Sequence, residues 1–167
     1  MSHDASSRRA LLGHPLGWIA CGFSSGLSPA APGTAGSLAA LLPWLVLREL
    51  PWPWFAVALV LAFALGGWGC DWAVRRLRMA DPSAVVWDEF VGQWIALTPL
   101  VIWPNDNLWI FVGFILFRLF DIVKPWPVSW ADRRIGGGLG VMLDDAIAGL
   151  YAAIALVLLQ QLVHAFA

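Results

Sequence analysis

Two unbroken apolar stretches constrain this chain more than any other feature. Residues 54–70 and 146–167 contain no Asp, Glu, Lys or Arg. The first continues to about Val74, past a single acid at Asp71. Each then reaches the ~20 residues that an α-helix needs to cross a hydrocarbon layer ~30 Å thick. A water-soluble chain of 167 residues has too little interior to hide both runs along with the rest of its apolar side chains. Those are plentiful: 60% of the residues are hydrophobic, mean hydropathy is +0.73, and only 13% are charged, against the ~25% usual in soluble domains. A disordered chain needs the opposite composition.

Three shorter apolar runs complete a pattern that predicts helices at about 34–50, 54–74, 86–103, 108–123 and 146–166. The reading is all-α: a multi-helical integral membrane protein with about four to five membrane helices and two polar cytoplasmic loops, 75–89 and 124–145. Short buried core helices are the alternative for the first, third and fourth runs. Residues 1–14 read as a mobile polar arm, and 15–167 as one membrane-embedded domain. Residues 15–33 are dense in Gly and Pro, which predicts a loop or a short re-entrant piece. Trp44, Trp52, Trp54, Trp72, Trp87, Trp103 and Trp109 fall near helix ends, as interfacial anchors do.

Charge sets an orientation. With the N-terminus in the cytoplasm, Arg8, Arg9, Arg75, Arg76, Arg78, Lys124, Arg133 and Arg134 share one side, and Arg48 stands alone on the other. Cytoplasmic loops carry the Lys/Arg excess. The net charge of −1 gives no footprint for nucleic acid. Cys21 and Cys70 show no metal or redox spacing. No secretory signal is evident at the start, so the membrane segments are expected to be retained. No obligate protein partner is indicated.

The acids follow the same asymmetry. Asp88-Glu89 is expected to open the third helix, Asp121 to close the fourth and Asp144-Asp145 to open the fifth. Five carboxylates at one membrane face are costly unless paired or bound to a cation, which makes them candidate catalytic and metal-binding groups. Helix-dipole capping accounts for either adjacent pair alone. It does not account for Asp121 at a helix C-terminus, although Arg118 three residues earlier could neutralise it. An oxygen-only donor set suits Mg²⁺, and the absence of His or Cys nearby argues against zinc. Thr34 and Ser37, in Pro32-Gly33-Thr34-Ala35-Gly36-Ser37 at a helix start, could bind a phosphate oxygen together with free backbone N–H groups; an ordinary N-cap explains them equally well. Arg118 and Lys124 flank Asp121 and could hold a phosphate as fork and point charge. Gly22-Phe23-Ser24-Ser25-Gly26 matches the nucleophile-elbow pattern, but no strand precedes it and no histidine is well placed, so a packing loop is the better reading.

These segments resemble a known family. Gly26–Leu38 (GLSPAAPGTAGSL), Val85–Gly92 (VVWDEFVG), Phe117–Pro127 (FRLFDIVKPWP) and Gly137–Gly149 (GGLGVMLDDAIAG) are similar, in order and spacing, to four motifs of the phosphatidylglycerophosphatase A family. The resemblance implies a Mg²⁺-dependent lipid phosphatase of the bacterial inner membrane, multi-pass, with its site facing the cytoplasm. Its substrate would be the membrane phospholipid phosphatidylglycerophosphate, and its products phosphatidylglycerol and inorganic phosphate. Carried onto this chain, the acids are Asp88, Glu89, Asp121, Asp144 and Asp145, with Thr34 and Lys124 at the phosphate. The attacking group is either water activated at the metal or an Asp that forms an acyl phosphate; water is preferred, since nothing marks one Asp as a nucleophile. One departure is Ala80, where many relatives carry a His before the acid matching Asp81, so no essential role can rest on that His here. Two other classes compete. An ion-coupled membrane component should carry its acids near mid-membrane rather than at one face. A CDP-alcohol phosphotransferase should contain Asp-Gly-x2-Ala-Arg, which this chain lacks.

Overall fold

Proline and left-handed caps mark out the helices. A computed structural model describes residues 10–79, 82–103 and 106–166, and regular structure there is helical throughout. In chain order the helices are α1 (Pro15–Ala20), α2 (Pro32–Leu47), α3 (Trp52–Leu77), α4 (Trp87–Ala96), α5 (Thr98–Ile102), α6 (Leu108–Val123), α7 (Val128–Arg134) and α8 (Gly137–Phe166), with a 3₁₀ turn at Ser25–Leu27. Helices α1, α2, α3 and α5 each have Pro in their first two positions, where a missing N–H costs nothing. The imidazole Nδ1 of His14 accepts from the Leu16 N–H (3.2 Å) and caps α1. Arg78 ends α3 and Lys124 ends α6, both in the left-handed conformation that usually falls to Gly.

Helix α4 is the hub. It packs against α2, α3, α6 and α8, and Trp87, Phe90, Val91, Gly92, Gln93, Trp94 and Ala96 are all buried. Its two indoles reach outward to neighbouring backbones: Trp87 Nε1 donates to the Ala62 carbonyl of α3 (3.0 Å) and Trp94 Nε1 to the Ala40 carbonyl of α2 (2.8 Å). Where α4 crosses α8 the backbones touch. A Cβ at Gly149 would overlap the Gly92 carbonyl, and one at Gly92 would lie 2.8 Å from the Asp145 carbonyl. Small residues at such a crossing let two helices approach more closely than side chains allow.

Several expectations need correction. The run 86–103 is not one helix: it breaks at Leu97, because Pro99 has no N–H to continue the ladder. Its first part is the buried α4, whose 10 residues span only ~15 Å. The stretch 124–145 is not a loop, since it contains α7 and the beginning of α8. Asp144 and Asp145 therefore do not open the last helix; they sit two turns inside it. The stretch 15–33 holds α1 and a turn of left-handed residues (Gly22, Phe23, Ser24), in which the Ser25 hydroxyl donates to the Gly22 carbonyl (2.8 Å). Of the arm expected at 1–14, residues 1–9 lie outside the described residues. Leu11, however, is fully buried, and His14 stacks on Trp72 at 4.6 Å, so the packed unit begins before Pro15. Arg8, Arg9, Ala80 and Asp81 also lie outside the described residues.

Two helices, α3 with 26 residues and α8 with 30, are long and apolar enough to cross a membrane. Helices α2 and α6, of 16 residues each, span ~24 Å. Large apolar side chains stand exposed along all four, among them Leu42, Val60, Phe111 and Leu158.

Candidate active site

One end of the bundle gathers the charge. The N-terminus of α2, the first turn of α4, the last turn of α6 and the third turn of α8 surround a cavity of about 540 Å³. Thr34, Asp88, Glu89, Arg118, Asp121, Lys124, Asp144 and Asp145 all line it. Ser37, also expected at the phosphate, does not. It is fully buried one turn below Gly33, donates to the Gly33 carbonyl (3.0 Å) and accepts from Arg118 Nη1 (3.3 Å). Exposed Arg133 and Arg134 do not line the cavity either, nor do Ser24 and Ser25.

Arg118 ties three helices together. Its Nη1 lies 2.8 Å from Asp121 Oδ2 on its own helix and 3.7 Å from Glu89 Oε1 on α4, besides the contact with Ser37 on α2. All three charged side chains of this cluster are largely buried. The glycines of the Pro32–Ser37 segment serve the same cluster. A Cβ at Gly33 would overlap the Glu89 carboxylate, and one at Gly36 would sit 2.7 Å from Val86 Cβ and 3.1 Å from Glu89 Oε2. The anion nearest this helix start is thus the protein's own Glu89, while Thr34 keeps a place on the cavity wall.

Lys124 sits between two acids, its Nζ 2.5 Å from Asp132 Oδ1 and 2.6 Å from Asp144 Oδ2. Burial works against the ammonium, but its hydrogen bonds to Asp132 and Asp144, with their charges, outweigh that and raise its pKa above the ordinary lysine value. Asp132, on α7, was not foreseen from the sequence. A lone acid in a polar stretch reads as a solvated charge, and only the fold turns it back toward Lys124. The Tyr151 hydroxyl of α8 donates to the Trp126 carbonyl (3.1 Å) and anchors the segment between them.

Three acids of the cavity keep an oxygen that nothing among the described residues satisfies. Asp144 and Asp145 are buried, and Asp144 Oδ1, Asp145 Oδ2 and Asp88 Oδ1 are buried oxygens without a hydrogen-bond partner among the described residues. Dipole capping still applies to Asp88 and Glu89 in the first turn of α4. It cannot apply to Asp144 and Asp145, ~11 Å along α8. Carboxylate oxygens buried without donors are stabilised by a cation. Among the described residues no group of three or more His, Cys, Asp or Glu side chains is gathered closely enough to hold a metal ion as it stands. The set still suits Mg²⁺, which binds through one or two carboxylates and fills its octahedron with water and phosphate oxygens rather than sitting in an all-protein cage.

A model of the phosphatidylglycerophosphatase A family matches residues 18–160. The chain belongs to the phosphatidylglycerophosphatase A family. Among curated relatives, the phosphatidylglycerophosphatase A of Escherichia coli (strain K12) is 41% identical over 150 residues, covering 90% of this chain and 86% of the relative. That of Haemophilus influenzae is 37% identical over 163 residues, covering 96% and 98%. A Bacteroides thetaiotaomicron protein named "Putative phosphatidylinositol-3-phosphatase" is 44% identical over 146 residues, covering 81% and 87%. No solved structure matches the chain. The match to the phosphatidylglycerophosphatase A family spans every element that contributes to the cavity, from α2 to the acid pair of α8.

Proposed function

We propose that this chain is the lipid phosphatase that hydrolyses the phosphate monoester of phosphatidylglycerophosphate, releasing phosphatidylglycerol and inorganic phosphate in phospholipid biosynthesis. The reading extends to a Mg²⁺-dependent site at the cytoplasmic face of the bacterial inner membrane. One observation carries it: six carboxylates (the five named from the sequence and Asp132), a lysine, an arginine and a helix start with Thr34 converge on one cavity from five helices. The membrane reading is supported by two helices of sufficient length and by the exposed apolar side chains around them. The orientation is supported by the Lys/Arg excess at the end that carries the acids.

Among Asp88, Glu89, Asp121, Asp144 and Asp145, one or two would bind the metal directly and the others would hold its waters. When bound, Mg²⁺ supplies positive charge that neutralises the phosphate and stabilises the charge that develops in an in-line displacement. The chain does the rest. Thr34, on the cavity wall at the start of α2, would donate to a phosphate oxygen. Lys124 and Arg118, already charged and already oriented by their carboxylates, add positive potential without reorganisation at the moment of reaction. A carboxylate with an oxygen left without a donor, such as Asp88 or Asp145, would take a proton from the attacking water. The exposed apolar Ile122 on the cavity rim gives the acyl-glycerol end an exit toward lipid, so the substrate need not leave the bilayer.

The test is phosphate release by the purified protein from phosphatidylglycerophosphate, with phosphatidic acid and phosphatidylinositol-3-phosphate as comparators. Preferential release from phosphatidylglycerophosphate is expected. Release from phosphatidylinositol-3-phosphate alone would reassign the substrate.

A further inference from the structure

A second cavity, of about 320 Å³, lies on α3, shares no lining residue with the first and is lined by Trp68, Asp71, Trp72, Arg75 and Arg76. Trp68 is exposed, and Trp72 is braced by its stack on His14. Asp71 and Arg75 are paired at 2.6 Å, one turn apart. Arg76 has no carboxylate partner among the described residues. Two guanidiniums and one carboxylate leave the cavity with a single net positive charge.

Its depth follows from the length of α3. Twenty-six residues extend ~39 Å, about two turns more than a hydrocarbon core of ~30 Å. The charged turns from Asp71 to Leu77 then emerge among the headgroups, with Trp68 and Trp72 at the boundary that tryptophan favours. This step rests on the membrane reading above.

We propose that this cavity is a second, non-catalytic lipid site, which takes the phosphodiester headgroup of an anionic phospholipid. Guanidinium forks bind phosphate oxygens in pairs, and basic pockets beside membrane helices at the cytoplasmic face bind anionic headgroups. Trp68 and Trp72 supply the apolar wall for the glycerol and upper acyl chains. The single net charge matches a monoanionic diester. A zwitterionic headgroup, whose own cation offsets its phosphate, gains less from that charge.

The test uses the full chain in zwitterionic detergent and counts retained lipid by native mass spectrometry, with phosphatidylglycerol, phosphatidylcholine or inorganic phosphate as probe. Wild type should retain phosphatidylglycerol about tenfold more tightly than the Arg75→Gln/Arg76→Gln double variant, the change expected from losing charge-assisted hydrogen bonds to phosphate. Phosphate release should be unchanged. Should the double variant fail to fold, Arg76→Gln, which keeps the Asp71–Arg75 pair, carries the comparison. Equal retention by wild type and variant overturns the proposal. So does phosphatidylcholine held as tightly as phosphatidylglycerol, or displacement of the lipid by inorganic phosphate. Flotation with phosphatidylcholine vesicles, together with phosphate release, tests the membrane phosphatase reading separately, so that its failure is distinguishable from failure of this site.

Discussion

Lys124 Nζ and Asp144 Oδ2 lie 2.6 Å apart, joining the end of α6 to the third turn of α8. Asp132 holds the same ammonium from the other side, at 2.5 Å. A lysine clamped by two carboxylates is oriented before substrate arrives, and this sets the roles of all three. Lys124→Ala should lower kcat by roughly 10²–10³, the usual loss when one preorganised donor to a developing charge is removed. Asp132→Asn should act more mildly and mainly on KM, because the lysine stays charged but loses one of its two anchors. Steady-state phosphate release from both variants checks the order; equal effects on kcat would count against the clamp.

Asp121→Asn and Asp145→Asn should each abolish phosphate release while leaving helix content unchanged by circular dichroism. Asp145 is buried with an oxygen that lacks a hydrogen-bond partner, so the neutral amide removes an anion the fold does not use for pairing. Near-wild-type turnover in both variants would rule out the acidic cavity as the catalytic site.

Chelation offers a test with two readouts. EDTA should stop phosphate release and Mg²⁺ should restore it. Mg²⁺ should also raise the melting temperature of the wild type by mass action, since a ligand that binds only the folded state stabilises it. The Asp121→Asn variant should show a smaller rise. Full activity in chelator would point to a metal-free mechanism.

Gly33→Ala should damage the site through Glu89. The added methyl would occupy the space of the Glu89 carboxylate, which is held nearby by Arg118 at 3.7 Å. Overpacking of this kind costs about 1–3 kcal/mol, and catalysis should fall with the displaced acid. Gly67→Ala is the matched control, because no atom lies within 4 Å of a Cβ there. Mid-helix, it should be neutral or stabilising by up to ~1 kcal/mol. Thermal melts and phosphate release on the two variants separate a steric cause from a general intolerance of glycine replacement.

Arg118→Gln should destabilise the protein by about 3–5 kcal/mol, as breaking one side of a buried ion pair does, because Glu89 and Asp121 would be left facing each other without a cation. Lysine should rescue it in part, since Asp121, Ser37 and Glu89 all meet the single nitrogen Nη1, a position that an ammonium with three N–H donors can take.

The acids were legible in the sequence because charge is rare there and its placement stands out. Asp88, Glu89, Asp121, Asp144 and Asp145 line one cavity as a one-sided cluster should. Helix limits were less legible. The glycines of 136–140 read as a break, yet α8 runs through most of them. Gly138 lies against the backbone of Asp71 and Gly67, and Gly140 against that of Ile135, so these residues are present for close approach rather than for a turn. A continuous apolar run also does not say what covers it, which is why the buried α4 resembled a membrane span. Asp132 was invisible for a different reason: its meaning is tertiary, created when α7 folds back over the end of α6.

The contact of Gly92 with Gly149 lies about one turn below Glu89 and Asp145. No side chain stands between the two backbones there, so the gap between the acid pairs of α4 and α8 has a fixed gauge, set by van der Waals contact of backbone on backbone. Substitutions elsewhere in the core can loosen the bundle by degrees. At these two positions even a single methyl must re-space both acid pairs at once.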